Sequence, residues 1–262
     1  MKKILISSCL IAATLIATEG SMNAAIITAN DGIGRIAEAN FSVSGTVLTI
    51  TLTNKATADV LLPTFILSGL LWNLTDGVAL TAVSAVITPT STFVYTAGNG
   101  LVAGTGAAGD IAGEWAYRNS ANFASFPSIA FSYGLGTAGF SPSNFFGNGN
   151  LISANDRNNK TGPNGIDFAI VSTTDNLATG NGGVTGAVLI QGGAKFVFNL
   201  PNNYVWSDAN LASVSFLYGT GTGTADPQNP LLPPNETGVP EPGTLGMMGL
   251  AGLLALAKKL RR

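Results

Sequence analysis

Val47-Leu48-Thr49-Ile50-Thr51-Leu52-Thr53 alternates apolar and hydroxyl side chains without a break from Leu48 onward. In an extended chain successive side chains point to opposite faces. Leu48, Ile50 and Leu52 therefore share one face and the three threonines the other. A period of two, rich in β-branched residues, reads as a half-buried strand. Outward from it, Ala194–Leu200 repeats the pattern, with Phe196, Phe198 and Leu200 on one face and Lys195, Val197 and Asn199 opposite. Leu211–Tyr218 puts Val214, Phe216 and Tyr218 on one face. Val78–Ile87, Ile129–Tyr133, Ile166–Val171 and Ala187–Gln191 are short β-prone runs. Val60–Trp72 is almost continuously apolar, but Pro63 argues against a central strand at that point and suits a bend or a short helix. About ten strands punctuated by Gly and Asn turns predict an all-β body, an antiparallel β-sandwich or jelly-roll.

Composition supports a packed core with an unusual surface. Only 10% of the 262 residues are charged, against about 25% on average, so uncharged polar groups must cover the exterior. The chain has no histidine, which excludes His-based triads, His general bases and His-ligated metals. Its single cysteine, Cys9, excludes internal disulfides and Cys-rich metal sites. Six of the twelve cations lie at the two ends. Between Ile26 and Gly238 six cations face twelve anions, a net of about −6. A body with no basic patch is a poor nucleic-acid binder. No cofactor and no metal is expected.

Both ends read as addresses. Lys2 and Lys3 precede an apolar run from Ile4 to Ala17, and small residues follow at Ala24 and Ala25. This is the pattern of a secretory signal peptide, residues 1–25, cut after Ala24 or Ala25. Cys9 stands too early for a lipoprotein box. A body is expected over 26–219 and a linker over 220–238, where Pro227, Pro230, Pro233 and Pro234 interrupt any strand pattern. At the far end Val239, Pro240, Glu241 and Pro242 lead through Gly243 and Thr244 into an uncharged apolar run, Leu245–Ala257. Lys258, Lys259, Arg261 and Arg262 close the chain. The run is short for a membrane span, and snorkelling cations can make up the deficit. The basic cluster is expected to stay cytoplasmic, which leaves the body outside.

The order of Pro-Glu-Pro, short apolar helix and terminal basic cluster resembles the PEP-CTERM sorting signal, over residues 239–262. The resemblance implies an exported protein of a Gram-negative bacterium that makes exopolysaccharide. It also implies an exosortase as processing partner, transient residence in the inner membrane and cleavage near the Pro-Glu-Pro. Leu48–Asn54, Gly113–Arg118 and Val214–Thr220 resemble segments of a group of exosortase-dependent surface proteins with such tails, a group that brings no activity with it. The expected function is non-enzymatic, at the cell surface or in the extracellular matrix, with exopolysaccharide or biofilm as its setting. The alternative is a carbohydrate-binding module.

Other motifs are weighed against plain packing. Gly104–Gly109 and Gly134–Gly139 spell GxGxxG, but a dinucleotide site needs that string to open a helix after a strand. No amphipathic helix follows either. Asp110 and Glu114 beside Trp115 and Tyr117 offer carboxylates with aromatics, the materials of a glycosidase or a sugar-binding face. Trp115, Tyr117 and Trp206 are the candidate carbohydrate contacts, with burial in the core as the competing reading. Asn155–Lys160 has oxygen donors, but Arg157 and Lys160 spoil a calcium loop. Asn40, Asn73, Asn159 and Asn235 open N-x-Ser/Thr sequons, as many as chance would give here.

Overall fold

The computed structural model describes residues 23–95, 109–119, 131–138, 140, 145–147, 149–153, 162–163 and 165–221. The expected signal segment up to Met22, the calcium-like Asn155–Lys160, nearly all of the linker and the whole tail lie outside them. In chain order the strands are β1 (Asn23–Asn30), β2 (Ile36–Ser44), β3 (Val47–Asn54), β4 (Leu67–Leu74), β5 (Thr81–Ile87), β6 (Thr92–Val94), β7 (Ala116–Asn119), β8 (Tyr133–Gly136), β9 (Ile170–Val171), β10 (Leu189–Gln191), β11 (Gly193–Asn199) and β12 (Leu211–Tyr218). Helix among the described residues is confined to short pieces, and none is long and apolar enough to cross a membrane.

The first sheet has the order β1-β2-β3-β11-β5 and is antiparallel throughout. β3 behaves as its alternation requires: Leu48, Ile50 and Leu52 are fully buried while Thr49, Thr51 and Thr53 face outward, partly exposed. β11 adds Phe196 and Phe198 to the same inner face. β2 contributes Ala37, Ala39, Phe41 and Val43. Opposite-facing Lys195 and Asn199 keep the outer face wet.

The second sheet holds the remaining seven strands and departs from the expectation of purely antiparallel pairing, because β9 and β10 run parallel. β4 is its spine. β12 pairs along one edge of β4, from Leu74 to Leu67. β8 and β9 share the other edge end to end, β8 opposite Gly69–Trp72 and β9 opposite Leu67. β7 then adds to β8, while β10 and β6 add to β9. Pro63 does what its missing N–H dictates. It opens a 3-10 turn, Pro63–Phe65, that delivers the chain into β4 after the proline.

The sheets stack face to face as a sandwich. Trp72 of β4 meets Phe41 and Phe198 of the first sheet edge-on, both at 6.1 Å between ring centres. The second sheet is covered on its outer side as well. Leu71 and Leu217 pack there against Phe131, Phe140, Phe145 and Phe146. Leu189 and Val171 pack with Val60, Ile66 and Val184. This is why β4 is buried at every position but Asn73 and shows no alternation.

Candidate functional site

The aromatic candidates are placed by β7, β11 and the turn before β12. Trp115 is fully buried, tilted against Phe196 of β11 at 4.7 Å, and its indole N–H donates to the Phe168 carbonyl at 3.1 Å. Phe168 presents that carbonyl from a left-handed backbone, φ 63°, a conformation uncommon for a bulky residue. Tyr117 follows on β7, between Phe198 at 4.9 Å and Trp72 at 6.2 Å. Burial pushes its hydroxyl pKa far above that of a free tyrosine. Trp206 is buried too, and its indole N–H donates to Asp208 at 2.9 Å. A sugar stacks on an aromatic face that solvent can reach. Trp115 and Trp206 are buried, and Tyr117 packs its ring between Phe198 and Trp72.

The two carboxylates are separated by environment. Asp110 is exposed and accepts the Ala112 N–H at 2.9 Å, a local turn contact. Glu114 is buried in the turn that leads to Trp115. They do not form an open carboxylate pair on one surface. Gly134 and Gly136 lie inside β8, so the second GxGxxG string starts in a strand rather than at a helix N-terminus. A Cβ on Gly136 would meet the Phe146 ring at 2.5 Å, which accounts for that glycine by packing. Asn73 is engaged on both sides of its amide, donating to Ser213 and accepting from Ser132 N–H.

Three groupings escaped the sequence reading; two join distant segments, and one pairs residues only four apart. Tyr204 donates to Asp76 at 2.6 Å, and Asn210 donates to both. Burial, then the Asp76 carboxylate it serves, push the Tyr204 pKa up to about 12, so this phenol is a tie between loops and not a nucleophile at neutral pH. Arg35 and Asp31 form a buried ion pair, Nε to Oδ2 at 2.5 Å, with the guanidinium 5.4 Å over the Tyr218 ring. A shallow hollow of about 250 Å³ is lined by Ile33, Asp59, Val60, Leu61, Leu62 and Phe65. The body ends beside it: Gly219 N–H donates to Ile66, and a Cβ on Gly219 would meet the Pro63 carbonyl at 3.3 Å.

The signal that the comparisons find lies in the segment that follows the body. Residues 238–262 match the PEP-CTERM protein-sorting motif. That stretch contains Val239, Pro240, Glu241, Pro242 and the closing Lys258, Lys259, Arg261 and Arg262. The PEP-CTERM motif marks the chain as an exported protein targeted to an exosortase. Neither the comparison with curated proteins nor that with solved structures finds a match.

Proposed function

We propose that this is an exported, non-enzymatic protein of the cell surface or extracellular matrix, associated with exopolysaccharide. The exosortase removes the tail and leaves the β-sandwich as the working part. The observation that carries this reading is the sorting motif at 238–262 behind a folded β body. The absence of histidine and the lone Cys9 take His general bases and, in the body, Cys nucleophiles out of consideration. Asp110 accepts a turn N–H, and Tyr204 ties two loops. Residues 1–25 act as the signal peptide and Leu245–Ala257 as a transient membrane helix.

The physics of the tail gives the test. Pro240 and Pro242 cannot enter a helix interior, and they push the residues before them into extended geometry. They hold an extended peptide at the outer interface, where a protease cleft can take it. Lys258, Lys259, Arg261 and Arg262 hold the end inside. In a host carrying an exosortase, mass spectrometry should show the wild-type chain shortened by about 20 residues. A Pro240→Ala/Pro242→Ala variant should stay intact in the membrane fraction. A wild-type chain still ending at Arg262 would refute processing. Retention of the processed body by the host's own exopolysaccharide in a pull-down, against a protein-free control, tests the second half of the reading.

A further inference from the structure

β1 is an outer strand of the five-stranded sheet. Among the described residues its one hydrogen-bonded strand neighbour is β2. The backbone N–H and C=O groups along its outer edge therefore have no strand to pair with there, and an accessible edge of this kind is a template for another strand. Proteins usually blunt such edges with charge, proline, a bulge or a covering loop. β1 reads Asn-Ala-Ala-Ile-Ile-Thr-Ala-Asn, with no charge and no proline. Its register with β2 runs through eight consecutive residues without a shift, and Ile26 is 61% exposed. The opposite edge, β5, is protected. Ile87 N–H donates to Gly109, Ile111 N–H donates to Ala85, and Val86 bridges Asp110. Head-to-tail stacking needs two open edges and runs on as a filament. Within this sheet β1 is the one edge left open among the described residues, and such an edge can pair with its own copy across a two-fold axis.

We propose that β1 docks antiparallel against β1 of a second copy, joining two five-stranded sheets into one of ten strands. Ala24, Ile26, Thr28 and Asn30 face solvent, whereas Ala25, Ile27 and Ala29 turn toward the core. A two-fold axis normal to the sheet keeps each face on its own side, so solvent-facing residues oppose solvent-facing ones. An axis through Thr28 sets Thr28 opposite Thr28 of the copy, Ile27 opposite Ala29 and Ile26 opposite Asn30. Thr–Thr cross-strand pairs are favourable and like charges directly opposite are not. An uncharged strand satisfies both conditions against itself, which favours a second copy over a foreign strand. This register uses only residues that remain after a cut at Ala24 or Ala25. One strand pair is small beside the ~800 Å² per partner of a standard interface. The association is therefore concentration-dependent, and crowding many copies onto one surface promotes it.

The test uses the full chain in a Cys9→Ser background, solubilised in mild detergent. Opposed Cα atoms in an antiparallel pair lie about 4.5–5.5 Å apart, within disulfide range. On oxidation Thr28→Cys should give a dimer that dithiothreitol reverses, while Val83→Cys on β5, 50% exposed, should stay monomeric. Without added cysteines, sedimentation should show mass rising from monomer toward dimer with concentration. Thr28→Lys should abolish that rise and leave the melting temperature unchanged. A dimer that survives Thr28→Lys belongs to the tail and overturns the proposal. So does a mass that stays monomeric throughout, a cross-link through Val83→Cys but not Thr28→Cys, or capture of a different protein by Thr28→Cys.

Discussion

Asp31 and Asp175 are both enclosed, and their surroundings drive their proton affinities in opposite directions. Burial alone would raise the Asp31 pKa, but the Arg35 side chain at 2.5 Å and the backbone N–H groups of Ile33 and Arg35 outweigh it and leave it lowered. Its stabilising contribution is present above the unfolded carboxyl value, ~3.9, and is lost as pH falls through the lower folded value. Asp31→Ala should cost about 3–5 kcal/mol by breaking the buried ion pair with Arg35, and should remove part of the acid limb in urea unfolding between pH 2 and 7. Asp175 is raised, first by burial and then by the charge of Asp59, although it accepts the Val60 N–H at 2.7 Å. A raised group favours folding at low pH, and the gain is lost as pH rises through its folded value. Asp175→Asn keeps the acceptor. At pH 7 it should be at least as stable as wild type in the same assay, with the difference closing on acidification. By contrast, the Lys55–Glu38 pair, 3.9 Å apart and partly exposed, contributes little.

At the scale of elements the inner faces carry the sandwich. Phe198 is fully buried against Trp72 and Tyr117, and Phe198→Ala should cost roughly 3–5 kcal/mol in chemical denaturation. Gly69 lies in β4 where an added Cβ would meet the Leu135 carbonyl at 2.6 Å, a backbone atom that cannot swing away. Gly69→Ala should lower stability by about 1–3 kcal/mol, read as a shift in the urea midpoint. In the first sheet β3, β11 and β5 were legible in sequence because one face is wet, whereas β1 and β2 went unread and the expected signal segment, residues 1–25, overlaps the start of β1. β3 and β11 alternate there, and both lie within a residue of the expected bounds. In the second sheet Leu211–Tyr218 was legible as β12 and Ala187–Gln191 holds β10, but β4, covered on both faces, has no periodicity to read. Ile129–Tyr133 read as a strand, yet the described strand is Tyr133–Gly136, hidden by its two glycines. Ile166–Val171 yields only Ile170–Val171, since the chain is still turning at Phe168. Trp115 and Trp206 illustrate the matching limit at the site. An aromatic beside a carboxylate looks the same in sequence whether its ring faces a sugar or a phenylalanine.

For the whole molecule, N-terminal sequencing of the exported chain should start at Ala25 or Ile26. Such a cut removes the first residues of β1 and leaves Ile26–Asn30 paired with Ile36–Asn40. The order in which the strands join also matters. β11 lies between β3 and β5, opposing Val47 with Asn199, and β12 completes the edge of β4. Contacts between such distant parts of a chain form slowly. A chain stopped at Gln191 should show no cooperative melting, because β3 and β5 then have no strand between them. Export threads the polypeptide outward from its N-terminus, so for most of its passage the body remains an unfinished intermediate. Closure awaits the arrival of residues 193–218. Nineteen residues, Thr220–Gly238, can span at most about 65 Å when extended. On the proposed topology that length would be clearance: the last strand could leave the translocation pore and snap both sheets shut before an apolar tail brought the traffic to a halt.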